Sequence, residues 1–130
     1  MATDELTKYI HSRTLSFREW IHRPFLYYVV HQPADDPYLP LALPLAQKSL
    51  ELCMEGQRIS YPYHRHHGTW FIGRVMLTRA LMILAAARSG RLEAPGDWPE
   101  AVEVTVKTLR WWEGEAPDFK LAAEVLESLA

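Results

Sequence analysis

The stretch GTWFIGRVMLTRALMILAAARSG, residues 68–90, decides the fold. Arg74, Arg79 and Arg88 are its only charged residues, and almost every helical turn is apolar all round. A helix of that kind is surrounded by other helices, which predicts a long apolar helix over about 66–89 at the hub of the core. Gly90 supplies its stop, because glycine takes the left-handed conformation of a helix end without steric cost. Elsewhere apolar residues recur at three and four rather than two, and no Asn-Gly or Asp-Gly hairpin turn occurs. The expected fold class is all-α, about five helices packed around this central one.

On the N-terminal side, SFRE at 16–19 has the form of a capping box, with Ser16 three residues before Glu19. It predicts a first helix through about His31, which either kinks at Pro24 or restarts there. QPADDPYLP (32–40) is a turn-rich connection, with Asp36 as a cap for a second helix over about 41–55 that Gly56 ends. GDWPE (96–100) opens a fourth helix, with Asp97 as N-cap and Pro99 in the first turn, running through Trp111 and Trp112. EAPD (115–118) breaks the chain before a short amphipathic helix from Asp118 to Leu129. This divides the chain into an N-terminal extension, 1–15, and a single helical domain, 16–130.

Composition narrows the function classes. At 130 residues, with 48% hydrophobic and 23% charged residues, the chain suits one globular domain. The net charge of −2 argues against direct nucleic-acid binding and against an anionic membrane surface. Residues 1–90 carry ten Lys/Arg against seven Asp/Glu, and residues 91–130 four against nine. That acidic third is interleaved with apolar residues, as on a solvated helical face. The single cysteine, Cys53, excludes an intrachain disulfide and a cysteine-based zinc site, and its apolar setting in LELCMEG marks a buried structural thiol. MATDELTKYI lacks the pattern of a signal peptide, and the apolar run Val75–Ala87, interrupted by Arg79, is short for a membrane span. The expectation is an intracellular protein, of nucleus or cytoplasm.

HRHHGTW (64–70) places His64, His66 and His67 within four positions. No Asp or Glu lies between Glu55 and Glu93, and no H-E-x-x-H pattern occurs, so neither a metal nor another cofactor is expected. As an acid–base site, His64, His66 or His67 would work with Tyr28 or Tyr63 as proton donor. A helix N-terminus near Gly68 and Thr69 would favour an anionic group. The competing reading has these histidines hydrogen-bonding carbonyls at the end of the long helix, and the sequence favours it. The aromatic residues read mainly as core, yet Trp70, Tyr27, His31 and Arg74 are also the natural lining of a pocket for a small apolar ligand. No G-x-S-x-G elbow and no phosphate-binding glycine loop is present.

IHRPFLYYVVHQP (21–33), the helix around Leu45 to Met54, HRHHGTWFIGRVMLTRALMILAAARSG (64–90) and WPEAVEVTVKTLRWWEGEAPDFKLAAEVLESL (98–129) together resemble a known family. They are similar to the C-terminal part of the fungal-specific transcription factor domain, the all-helical regulatory region of zinc binuclear cluster regulators. The resemblance spans about residues 16–129. It implies a regulatory, ligand-sensing or protein-contacting role, often in secondary-metabolite gene clusters. The six-cysteine DNA-binding module of that family has no counterpart here, so direct DNA binding does not carry over. Two functions are therefore expected in order: a regulatory module that binds itself or a regulator protein, or a small cofactor-independent enzyme of isomerase or cyclase type acting on a polyketide- or terpenoid-like substrate. A domain missing part of its scaffold exposes apolar surface, which predicts self-association through the aromatic-rich first and fourth helices.

Overall fold

The computed structural model describes residues 2–60, 65 and 67–130. Five helices follow one another: α1 (Ala2–His31), α2 (Leu39–Ile59), α3 (Thr69–Ser89), α4 (Trp98–Trp112) and α5 (Pro117–Leu129). No strand occurs among the described residues. Helices α1 and α2 pack along one another as a hairpin, α4 and α5 form a second pair, and α3 touches all four. The all-α expectation around one long apolar helix is met. Its packing accounts for much of its composition, since one broad face, centred on Met76, Ala80, Ile83 and Ala86 and widened by Met82 and Leu84, is buried, while Trp70, Phe71 and Leu81 stay exposed. By length and a mean hydropathy of 1.5, α3 also suffices to cross a bilayer, which corrects the reading of its apolar run as too short. Here it serves as the core helix.

The core joins Leu26 and Val29 of α1 to Leu50 and Cys53 of α2, Ile83 of α3, Leu109 of α4 and Phe119 and Leu126 of α5. Each large apolar side chain removed from water there contributes about 1.5–3 kcal/mol. Polar ties fix the pairing of the helices. The Gln57 amide donates to the Met76 carbonyl at 3.2 Å and to Thr105 Oγ1 at 2.5 Å, linking α2 to α3 and α4. Arg91 donates to the carbonyls of Val29 and Gln32, covering the end of α1 whose carbonyls lack helical partners. Gly90 adopts φ +63°, the left-handed stop expected of it.

Several boundaries differ from the sequence reading. Helix α1 begins at Ala2 and runs unbroken through Ser16 and Pro24. Asp4 and Glu5 in the first turn suit the positive end of the helix, and Leu15 is already buried. Glu19 therefore caps nothing; it is drawn into the core. Gly56 does not end α2, which continues to Ile59, and a Cβ at Gly56 would collide with the Arg79 guanidinium that crosses it. Helix α3 starts at Thr69 rather than near 66. Asp97 holds the N-cap position of α4 without a side-chain cap bond, because its carboxylate is taken by Arg58 at 2.6 Å. That arginine also holds the Asp97 carboxyl below its ordinary range.

Candidate functional site

The start of α3 and the α4–α5 junction enclose a cleft of about 480 Å³ lined by Arg65, His67, Trp70, Trp112, Glu115 and Phe119, together with Thr69 and Ala116. Local sequence explains its shape. Glu115 and Ala116 interrupt the helices, and Pro117 opens α5, so Phe119 turns inward against Gly73 of α3. Ion pairs stand at the cleft and beside it. Arg65 Nε lies 2.8 Å from Glu115 Oε2, and Arg74 reaches Asp118 Oδ2 at 2.7 Å while its guanidinium sits 4.3 Å from the centre of the Trp70 ring. The cleft thus offers three aromatic surfaces with paired charges beside them, which suits stacking contacts.

Of the residues singled out above, His67, Trp70 and Arg74 come together here. His67 is exposed and engaged in an interaction of its own. His64, His66 and Tyr63 lie outside the described residues. Tyr28 lines a different cleft, of about 440 Å³, with Phe25, Tyr38, Leu41 and Leu45. Its hydroxyl donates to Asp36 Oδ1 at 2.8 Å, and that bond raises the Tyr28 pKa by holding its proton. Asp36 Oδ1 also accepts from the Tyr38 amide at 2.8 Å, ahead of α2. Tyr27 and His31 stack on each other at 4.4 Å on the exposed side of α1, and His31 Nδ1 bonds the Tyr27 carbonyl. The acid–base pairing of His67 with Tyr28 and the pocket lining of Trp70 with Tyr27 are therefore not assembled: these residues serve separate parts of the surface. Among the described residues, no group of three or more His, Cys, Asp or Glu is placed to hold a metal ion.

Two features escaped the sequence reading. One is a buried charge cluster. Glu19 accepts from Arg79 Nε at 2.7 Å and from Arg23 at 2.5 Å, and Arg79 also donates to Ser60 Oγ at 2.8 Å. Cys53 lies near these charges, and burial above all pushes its thiol up to about 12, with Glu19 adding to the shift. The signal was present in the register: Glu19 falls in the stripe of Leu15, Leu26 and Val29, which faces the core.

The other feature is a second apolar stripe on α1. Leu6, Ile10, Phe17, Trp20 and Tyr27 are exposed, and with Arg13, Pro24 and His31 they repeat at alternating intervals of four and three. At 100° per residue this stripe lies opposite the buried one. Aromatic residues expected in the core are on the surface, Trp20 and Tyr27 in this stripe and Trp70, Phe71 and Trp111 on α3 and α4, whereas Trp112 is buried. Compared with protein-family models, with curated proteins and with solved structures, the chain matches none.

Proposed function

We propose that this chain is a regulatory module that acts by binding protein through helix α1. The observation that carries the reading is the second apolar stripe: a 30-residue helix that from Leu15 onward buries one face in the core and presents the other, rich in aromatic side chains, to solvent. Contiguous apolar surface of this kind marks interaction sites. The net charge of −2 suits association with protein better than with nucleic acid. The resemblance to the regulatory region of zinc binuclear cluster regulators supports the same reading, and it suggests that the protein works on transcription through a chain that carries its own DNA-binding module.

The test is co-purification of the tagged protein from its host cell, with associated chains identified by mass. Recovery of a chain bearing a DNA-binding module, lost when Phe17 and Trp20 are both changed to Glu, is the expected result. A protein that stays cytosolic and brings down no such chain overturns the reading. The aromatic cleft favours a second reading, an enzyme acting on a polyketide- or terpenoid-like substrate with His67 at its edge. That reading requires conversion of such a substrate by the purified protein alone, abolished by His67→Ala with the helical circular dichroism retained.

A further inference from the structure

We propose that α1 pairs, antiparallel, with α1 of a second copy of this chain, about a twofold axis passing between Phe17 and Trp20. The proposal rests on α1 being the binding surface and names its occupant in the free protein, the one that a regulator chain displaces. Seven side chains carry the face: Leu6, Tyr9, Ile10, Phe17, Trp20, Ile21 and Tyr27, each between 54% and 65% exposed. With about 200 Å² for each full side chain, they hold on the order of 800 Å² accessible, the share that each partner of a standard interface buries. The four–three spacing is that of a two-helix seam, which a second helix of the same kind complements.

Charge and hydrogen bonding select the orientation. Arg13 is the only charged residue of the 6–27 seam, and no carboxylate lies in it. A parallel pair would set Arg13 beside its own copy. The antiparallel register instead places Phe17 against Trp20 of the second copy, Ile10 against its Tyr27, and Arg13 against its Pro24. Pro24 lacks an N–H, so the Trp20 carbonyl one turn earlier loses its helical donor. The guanidinium of Arg13 from the second copy comes to that same place with donors to supply. Each copy contributes one such arginine and one such carbonyl, so the contact occurs twice across the axis, as twofold symmetry demands. The residues flanking the seam offer no opposing charge: Thr14 faces Ile21, and Arg23, facing Ser16, is held by Glu19 of its own chain.

The experiment uses the full chain. Sedimentation velocity at micromolar concentration is expected to show a dimer. Phe17→Glu combined with Trp20→Glu is expected to raise the dissociation constant about 100-fold or more, with the helical circular dichroism unchanged because both residues are exposed. Arg13→Glu, a change at an exposed side chain, is expected to weaken the dimer by about 10-fold or more and keeps the test open should the double substitution misfold. A spin label on Lys8→Cys reports orientation, since Cys53 is buried: the two label positions stand about 32 Å apart along the axis in the antiparallel pair and side by side in a parallel one. A monomer, a dimer indifferent to both sets of substitutions, or a short label separation overturns the proposal. So does a monomer that binds anionic phospholipid vesicles through Phe17 and Trp20, which assigns the face to lipid. A monomer that still recovers a DNA-binding chain through α1 overturns the pairing alone, and a dimer that recovers none overturns the regulatory reading alone.

Discussion

Arg79 Nε of α3 donates to Glu19 Oε2 of α1 at 2.7 Å across sixty residues of sequence, with the two side chains 3% and 1% exposed. A charge that far from water is tolerated only while its partner and its remaining hydrogen bonds are in place. Arg23 and Ser60 complete the arrangement, so the contact ties α1 to α3 and to the end of α2.

Arg79→Met is expected to destabilise the protein by about 3–5 kcal/mol, because it leaves Glu19 buried with Arg23 as its sole arginine. Adding Glu19→Leu is expected to recover a large part of that loss, since an apolar pair of similar volume needs no compensation. Urea unfolding of both variants, followed by circular dichroism, checks the order.

Gly56→Ala tests the same contact from beneath. A methyl there meets the Arg79 guanidinium, which cannot swing aside without leaving Glu19, so a loss of about 1–3 kcal/mol is expected in the native background. With Arg79→Met already present only a flexible methyl end, tied to no partner, lies there and can turn aside, and alanine is then favoured over glycine in a helix interior by up to about 1 kcal/mol. The sign of the substitution should reverse between the two backgrounds in a double-mutant cycle.

Alkaline pH provides a third test through Cys53. In the unfolded chain the thiol ionises near its ordinary 9.0, whereas burial holds the proton in the folded protein up to about 12. Between those values the unfolded state has fewer protons bound, so stability falls as pH rises, by about 1.4 kcal/mol per unit from this group. Cys53→Ala should flatten that slope, and a thiol reagent should label the native protein only at the rate of its opening.

The adjacent tryptophans of α4 should respond in opposite ways. Trp112→Ala removes a buried ring from the core and is expected to cost about 3–5 kcal/mol. Trp111 is 82% exposed, and its replacement by alanine should change stability by no more than about 0.5 kcal/mol. Thermal unfolding of the two single variants decides this.

Local sequence is enough to give the helices and the identity of the central one. Hydrophobic spacing and helix-stopping glycine are properties of a local window, and residues 68–90 express both. Capping signals proved weaker: SFRE met the pattern of a helix start, yet α1 runs straight through it, because a Ser-x-x-Glu pair within a longer helix gives the same local text. Which face of a helix is covered by a neighbour came from the packing of distant segments. Trp20 and Trp112 are equally hydrophobic, but one lies opposite the core stripe of α1 and the other is in the core at the α4–α5 junction. His67 and Tyr28, matched in chemistry, were parted because the start of α3 lies beside Ser12 and Ser16 of α1, more than three helical turns before Tyr28, and the two residues line different clefts. The meeting of Glu19 with Arg79 was likewise beyond any local pattern. Periodicity says that a face exists; only the packing of distant helices says what fills it, and on α1 it leaves one of two faces open.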